Sequence, residues 1–393
     1  MPEVQEQKAS PERLSRARLY LRQRPVLLVL LTALTVVFFV FVAALSRAYK
    51  DQQTALGNRW FERGIADMSG HRYQPAITDF RAALLYSRDN YTYQLNLAEA
   101  LLGMNRRAEA SAYLLNLWDR QPDDGLVNLE LARIAAQKGQ MQQAVRYYHD
   151  AVYAVWPRQQ EIQRREARLE LIELLLRSNA KAQAQAELIA LSENADEDPV
   201  QLNVLGDLFI RAGDYEHALA EYRSSLKVNA HNPKTLSSAG YAAYELGQYP
   251  LAERYLQEAV KQDPKDSASA ERLKTTEMVL RMDPYRRQIS QAERVRLVIE
   301  AFTTAGGRLQ HCAVPSGDGA GAGGTQGGSL SDQWSAMKPQ ITERGLQRTP
   351  ELADKAMDLV FRIERQTSLS CGAPGGADLA LLLISKLHEG NRF

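Results

Sequence analysis

Hydrophobic positions follow two different patterns along this chain. Residues 26–45, VLLVLLTALTVVFFVFVAAL, have no polar face: eighteen of the twenty are apolar and the other two are Thr. Twenty helical residues span about 30 Å, the thickness of a bilayer's hydrocarbon core. The run therefore predicts a single transmembrane helix. A cleaved signal peptide, with processing near Ser46-Arg47-Ala48, is the alternative, although its apolar stretch would be only about 7–15 residues long. The juxtamembrane segment 46–56 contains no Gly or Pro, so the helix is expected to run on past residue 56 without a break.

From residue 57 the apolar and small positions recur every 34 residues. GDYEHALAEYRSSL at 213–226 is answered by GQYPLAERYLQEAV at 247–260. Extending that register gives units 57–90, 91–124 and 125–158, six extra residues at 159–164, then 165–198, 199–232 and 233–266. Position 8 is small in Gly64, Ala98, Ala132, Gly206 and Gly240, with Ile172 the exception. Position 20 is Ala in every unit: Ala76, Ala110, Ala144, Ala184, Ala218 and Ala252. Small residues let two antiparallel helices approach. Large ones, such as Leu202, Leu205, Phe209, Tyr215 and Tyr222, fill the space between them. Gly139, Gly213 and Gly247 at position 15 end the first helix, and Asp263-Pro264 ends the second. One such hairpin cannot bury its own apolar face, so the units must stack. An elongated helix or a bend is expected around Ile172 and the insertion. Residues 267–280 are expected to form a cap helix.

This pattern resembles the tetratricopeptide repeat family over about residues 57–266. The resemblance implies a right-handed α-solenoid whose concave face, built from positions 2, 5, 9, 12 and 13, binds other proteins. In this chain those positions hold Phe61, Leu95, Glu99, Arg133, Asn203, Asp207, Arg211, Lys234, Tyr241, Tyr244 and Glu245. The groove residues expected to meet a partner are Arg133, Asn203, Asp207, Arg211, Lys234, Tyr241, Tyr244 and Glu245. Their mixed polar and aromatic character suits an extended peptide or a charged helix. Some family members grip a C-terminal carboxylate with Lys and Asn at positions 5 and 9 of one repeat. No unit here carries that pair.

Residues 281–393 leave the repeat. Amphipathic helices are expected at 289–302 and after Thr349-Pro350, where Leu352, Ala356, Leu359, Val360 and Ile363 share a face. A buried helix is expected at 378–389. The Gly-rich stretch 315–330 reads as a flexible loop. Its Gly319, Gly321 and Gly324 match a dinucleotide fingerprint only formally, because no strand precedes them and no helix opens on them.

Net charge is +1, which gives no electrostatic reason to expect nucleic acid. Six cations precede the apolar run (Lys8, Arg13, Arg16, Arg18, Arg22, Arg24) and four follow it within 20 residues (Arg47, Lys50, Arg59, Arg63). The positive-inside rule then puts the basic N-terminal tail, 1–25, in the cytoplasm. The C-terminal bulk would lie outside the cytoplasmic membrane, in the periplasm of a Gram-negative cell. The two cysteines, Cys312 and Cys371, leave three readings open: a disulfide closing a loop of about 60 residues, worth roughly 4 kcal/mol in chain entropy; unpaired thiols; or metal or catalytic chemistry with His311. Neither C-x-x-C nor H-x-x-x-H occurs, so no metal site is expected.

The expected protein is all-α: one transmembrane helix, a solenoid with a cap over 57–280 and a small C-terminal helical region, without cofactor or enzymatic activity. Its expected role is a membrane-anchored scaffold binding other proteins in assembly or maintenance of the cell envelope. The alternatives are a small catalytic C-terminal domain served by the repeats, or a docking platform facing the cytoplasm.

Overall fold

A computed structural model of the chain describes residues 11–193, 198–312 and 329–389. Among these residues the secondary structure is helical, with no strand. Helix α1 (Pro11–Ser69) takes in the apolar run and the first helix of the first repeat without a break, so part of the stretch expected as a tail is helical as well. The hairpins then follow the 34-residue frame: α2 (Tyr73–Tyr86), α3 (Tyr91–Gly103), α4 (Arg107–Arg120), α5 (Gly125–Gln137) and α6 (Met141–Tyr153). After a 3-10 turn at Arg158–Gln160 come α7 (Glu161–Arg177), α8 (Lys181–Ser192), α9 (Pro199–Ala212), α10 (Tyr215–Val228), α11 (Pro233–Glu245) and α12 (Tyr249–Gln262). The cap helix is α13 (Ser267–Met282). Beyond it lie α14 (Gln291–His311), α15 (Leu330–Met337), a 3-10 turn at Lys338–Gln340, α16 (Glu343–Arg348), α17 (Pro350–Cys371) and α18 (Gly376–Glu389). The Gly-rich segment falls outside the described residues except at its last two positions.

The repeat spacing has visible causes. A Cβ built on Gly64 would lie 2.4 Å from the Phe80 ring, one on Gly206 2.5 Å from Tyr222, and one on Gly240 2.7 Å from Leu256. Position 8 is therefore small because the large side chain at position 24 of the same repeat lies across it. Position 15 turns the chain. All six residues there have positive φ, from 54° at His71 to 77° at Gly213, with Asn105, Gly139, Asn179 and Gly247 between. Three are Gly and two are Asn, the residues that tolerate this region best.

In five of the six units the following helix is started by a cap at position 34. Asn90, Asp124, Asp198, Asn232 and Asp266 each accept a hydrogen bond from the backbone N–H three residues on. Such a cap contributes about 1 kcal/mol. Arg158, at position 34 of the third unit, cannot cap in this way. There the chain makes its 3-10 turn, and α7 begins at Glu161, four residues ahead of the frame. This is the elongated helix expected around the insertion. The Trp156 ring covers Gly125, and its Nε1–H donates to Ala151 O.

The chain divides into two compact units, residues up to Leu171 and residues from Ile172. In the second unit the C-terminal helices share one core with the end of the repeat. Tyr249 of α12 and Val279 and Met282 of α13 join Val298 and Phe302 of α14, Leu359 and Ile363 of α17, and Leu381 and Ile384 of α18. Residues beyond the cap helix thus extend the apolar interior of the last hairpin, the surface a repeat stack would otherwise leave open.

Candidate protein-binding face

Positions 2, 5, 6, 9 and 13 lie on the first helix of each hairpin. In the first unit this face carries Glu99 on α3, Glu130 and Arg133 on α5, and Glu170 on α7. Arg133 bridges two of the carboxylates: Nη1 donates to Glu130 Oε1 at 2.6 Å and Nη2 to Glu170 Oε1 at 2.6 Å. The Tyr148 hydroxyl donates to Glu170 Oε2 at 2.8 Å. The hydrogen bonds from Arg133 to Glu170, with the charge of both glutamates, hold its guanidinium firmly protonated. Burial raises the Glu130 carboxyl against the opposing pull of Arg133. No Lys or Arg pairs with Glu99 among the described residues. Burial first, and the charge of Glu130 second, push its carboxyl up to about 7. Phe61 of α1 stacks on Tyr93 of α3, with centroids 5.0 Å apart.

In the second unit Arg211 of α9 reaches back to α7, donating from Nη1 and Nη2 to the two oxygens of Glu173 at 2.6 and 2.7 Å. These bonds lower the Glu173 pKa and raise that of Arg211. Asp207 accepts from the Tyr222 hydroxyl at 2.7 Å, while Lys234 Nζ lies 3.7 Å from its other oxygen. Asn203 Oδ1 accepts from Thr235 at 3.1 Å. Tyr241 meets Tyr215 edge-on at 5.9 Å and lies under the Arg272 guanidinium of the cap helix at 4.7 Å. Tyr244 is half-buried, packed against the C-terminal core and edge-on to Tyr249. Arg211, Lys234 and Glu245 are exposed, as are Val200 and Val204 beside them on α9.

The expected groove residues therefore divide by unit. Arg133 stands in the first, inside a carboxylate cluster. The other seven stand in the second, where Asn203, Asp207 and Tyr241 are tied into hydrogen bonds or ring contacts and Tyr244 faces the core. Three acidic partners escaped the sequence reading. Glu173 occupies position 9 of the fourth unit and would have been found by completing that column. Glu130 and Glu170 share position 6, which the family pattern does not count among groove positions.

The charge-rich stretch 161–171 is not simply a solvated helix face. Ala167 and Leu171 are buried, and Glu170 serves Arg133. Its own Arg164–Glu161 pair is spaced i,i+3.

Cys312, at the end of α14, and Cys371, at the end of α17, are joined by a disulfide, with Cα atoms 6.0 Å apart. His311 points its Nδ1 at Gly307 O, 2.7 Å away. One turn before the disulfide, Arg308 donates to Thr367 Oγ1 at 2.8 Å and to Gly372 O at 2.9 Å. It also faces Glu364 at 3.6 Å and Asp378 at 3.8 Å. Nothing in the sequence pattern marked this cluster. Among the described residues no three His, Cys, Asp or Glu side chains converge as metal ligands.

Comparison with known proteins gives three matches to one family's sequence model, that of the tetratricopeptide repeat, at residues 61–125, 95–158 and 203–267. No curated protein sequence matches the chain. Among solved structures it is similar to YrrB, a TPR protein with an unusual peptide-binding site, at 15% identity and a TM-score of 0.39, covering 49% of this chain and 95% of that one. It is also similar to PilF of Pseudomonas aeruginosa, at 14% identity and a TM-score of 0.38 over 56% of this chain and 97% of that one. PilW, a type IV pilus biogenesis factor, matches at 17% identity and a TM-score of 0.36 over the same shares, 56% and 97%.

Proposed function

The chain is a tetratricopeptide repeat protein, and we propose that it is a membrane-anchored scaffold that binds other proteins outside the cytoplasmic membrane. The observation that carries this reading is the continuity of α1, in which an apolar segment passes into the first repeat within one helix. From Leu28 to Leu45 its large apolar side chains are exposed, Phe39 by 76%. Such a surface calls for lipid or a protein partner. The excess of cations before the apolar segment supports a cytoplasmic position for that end. The Cys312–Cys371 disulfide fits an oxidising compartment for the C-terminal bulk.

On this reading partners dock as extended peptides or helices against the first-helix face, with Arg211, Lys234 and Glu245 setting charge preference. The scaffold would serve assembly or maintenance of the envelope. A catalytic C-terminal region has little support, because Cys312 is bonded and His311 is turned toward backbone.

The test uses the two cysteines. Intact cells are treated with a bulky membrane-impermeant maleimide, with and without an impermeant reductant. Labelling that appears only after reduction supports the exterior placement. Protection in intact cells, with free thiols after lysis, would reverse the topology and leave a cytoplasmic docking platform. Crosslinking is then compared between wild type and the Arg211→Glu/Lys234→Glu variant. Discrete protein partners lost in the variant support docking on this face; an unchanged set argues against it.

A further inference from the structure

The Cys312–Cys371 bond is open on one side. A cleft of about 420 Å³ lies against it, lined by both cysteines together with Gly307, Arg308, His311 and Asp378. Cys371 is exposed and Cys312 is buried, so the two sulfurs are not equally reachable. A Cβ built on Gly307, Gly372 or Gly375 would meet nothing within 4 Å. The approach is therefore bare both on α14 and in the loop that follows Cys371.

Gly307 has no packing reason to be glycine. A Cβ on its neighbour Gly306 would meet the Trp334 ring at 2.2 Å, whereas Gly307 stands in open space inside the same helix. Glycine there weakens the helix relative to alanine, and what it leaves is an open cleft beside the bond. The surroundings also suit the reduced state. Arg308, one turn before Cys312, donates to Thr367 Oγ1 and Gly372 O, which holds its positive charge against the end of α17 that carries Cys371. A cation beside a sulfur stabilises the thiolate as it forms. Cys312 Sγ lies 3.9 Å from Thr367 O, which can accept its proton once the bond is open.

We infer that Cys312–Cys371 is a thiol–disulfide exchange site, opened by a dithiol that enters the cleft and attacks Cys371. A thiolate of the dithiol bonds to Cys371 Sγ as the bond between the two cysteines breaks, and the electron pair leaves on Cys312. The second thiol of the dithiol then displaces Cys371. The reductant departs as a disulfide, oxidised by two electrons, and its two protons end on Cys312 and Cys371. Exposure sets the direction: the reachable sulfur is attacked and the buried one leaves. Neither a membrane anchor nor docking at the repeats is needed for this exchange.

The experiment uses the full chain in detergent, without denaturant. Reduction by dithiothreitol and by thioredoxin, a small and a protein dithiol, is followed by maleimide gel shift. The urea-unfolded chain with dithiothreitol is the reference. Native protein should react with dithiothreitol within about tenfold of that reference. Faster reaction with thioredoxin at equal dithiol concentration assigns a protein source to the reductant, and the reverse a small-molecule one. Gly307→Leu fills the cleft and should slow native reduction by about tenfold or more, whereas Gly307→Ala, which strengthens the helix with little bulk, should not. Both variants should match wild type when unfolded. With glutathione, a monothiol, followed by alkylation, the adduct should be found on Cys371.

A bond reached only through unfolding would react about a thousandfold or more slowly than the reference, and that result would overturn the proposal. An adduct on Cys312 would overturn the direction of attack. Equal rates in wild type, Gly307→Ala and Gly307→Leu, or equal slowing in the two variants, would overturn the cleft as the route.

Discussion

Arg308 Nε lies 3.6 Å from Glu364 Oε2, and the Glu364 side chain is entirely buried. As carboxylates, both Glu364 oxygens and Asp378 Oδ1 would lack a hydrogen-bond donor. One guanidinium cannot balance two such charges away from water. Burial, and then the charge of Asp378, push the Glu364 carboxyl up to about 8, so at neutral pH it holds a proton that Asp378 can accept as a hydrogen bond.

A raised carboxyl makes the folded state bind more protons than the unfolded one. Its contribution is complete below the unfolded value of about 4.5 and is lost as pH rises through about 8. The full swing is on the order of 5 kcal/mol. Urea midpoints should fall between pH 5 and 8 in the wild type. In Glu364→Gln, which keeps the shape without the charge, the decline should flatten. A parallel decline in both proteins would place the titration elsewhere.

Gly206 and Gly139 should respond differently to alanine. At Gly206 the added methyl meets the Tyr222 ring at 2.5 Å, inside a packed hairpin, and overpacking of this kind costs about 1–3 kcal/mol. Gly139 has open space but a φ of 73°, so its cost is the backbone term alone, about 1 kcal/mol. Adding Tyr222→Leu to Gly206→Ala should recover part of the loss, whereas it should only destabilise Gly139→Ala further. Denaturant midpoints of the two series check this.

Arg133 and Arg211 look alike in sequence and differ in surroundings. The Arg211–Glu173 pair is exposed, 47% and 43%, so Arg211→Ala should cost under about 1 kcal/mol. Arg133→Ala leaves Glu130, 13% exposed, beside Glu170 and the unpaired Glu99; about 2 kcal/mol is expected. That excess should shrink at pH 4, as the carboxylates take up protons and need no cation. Equal costs at pH 7 would show that the carboxylate cluster is not coupled through Arg133.

Cys312 is buried and Cys371 exposed. Their bond closes a loop with a sequence separation of 59. Replacing both by Ser should destabilise the second unit by roughly 4 kcal/mol in the chain-entropy account. A calorimetric comparison of Cys312→Ser/Cys371→Ser with wild type measures it. A loss well under 1 kcal/mol would mean that the unfolded loop is already constrained.

The hairpin frame was legible because its causes are local and repeat. A glycine facing a ring, an alanine at each crossing and a turn residue recur at fixed intervals. Even so, the Asn and Asp caps at position 34 and the Asn residues at position 15 passed unnoticed, although both columns can be read from the sequence. The early start of α7 follows from losing the cap at Arg158. What sequence could not give is the non-periodic part. Glu364 reads as one more polar residue on an amphipathic helix, and only the arrival of Arg308 and Asp378 from other helices makes it a buried acid. Tyr244 sits at a groove position, and only the packed C-terminal helices turn it toward a core.

One helix of 59 residues, α1, links the apolar segment to the first repeat. An unbroken helix carries rotation as well as distance, so the residue count between Leu45 and Gly57 fixes the azimuth at which the first repeat leaves the apolar segment. One alanine inserted after Gln52 turns that azimuth by about 100°, whereas seven, nearly two full turns, restore it to within about 20°. A partner held in a fixed direction relative to the apolar segment would be lost with the short insertion and kept with the long one.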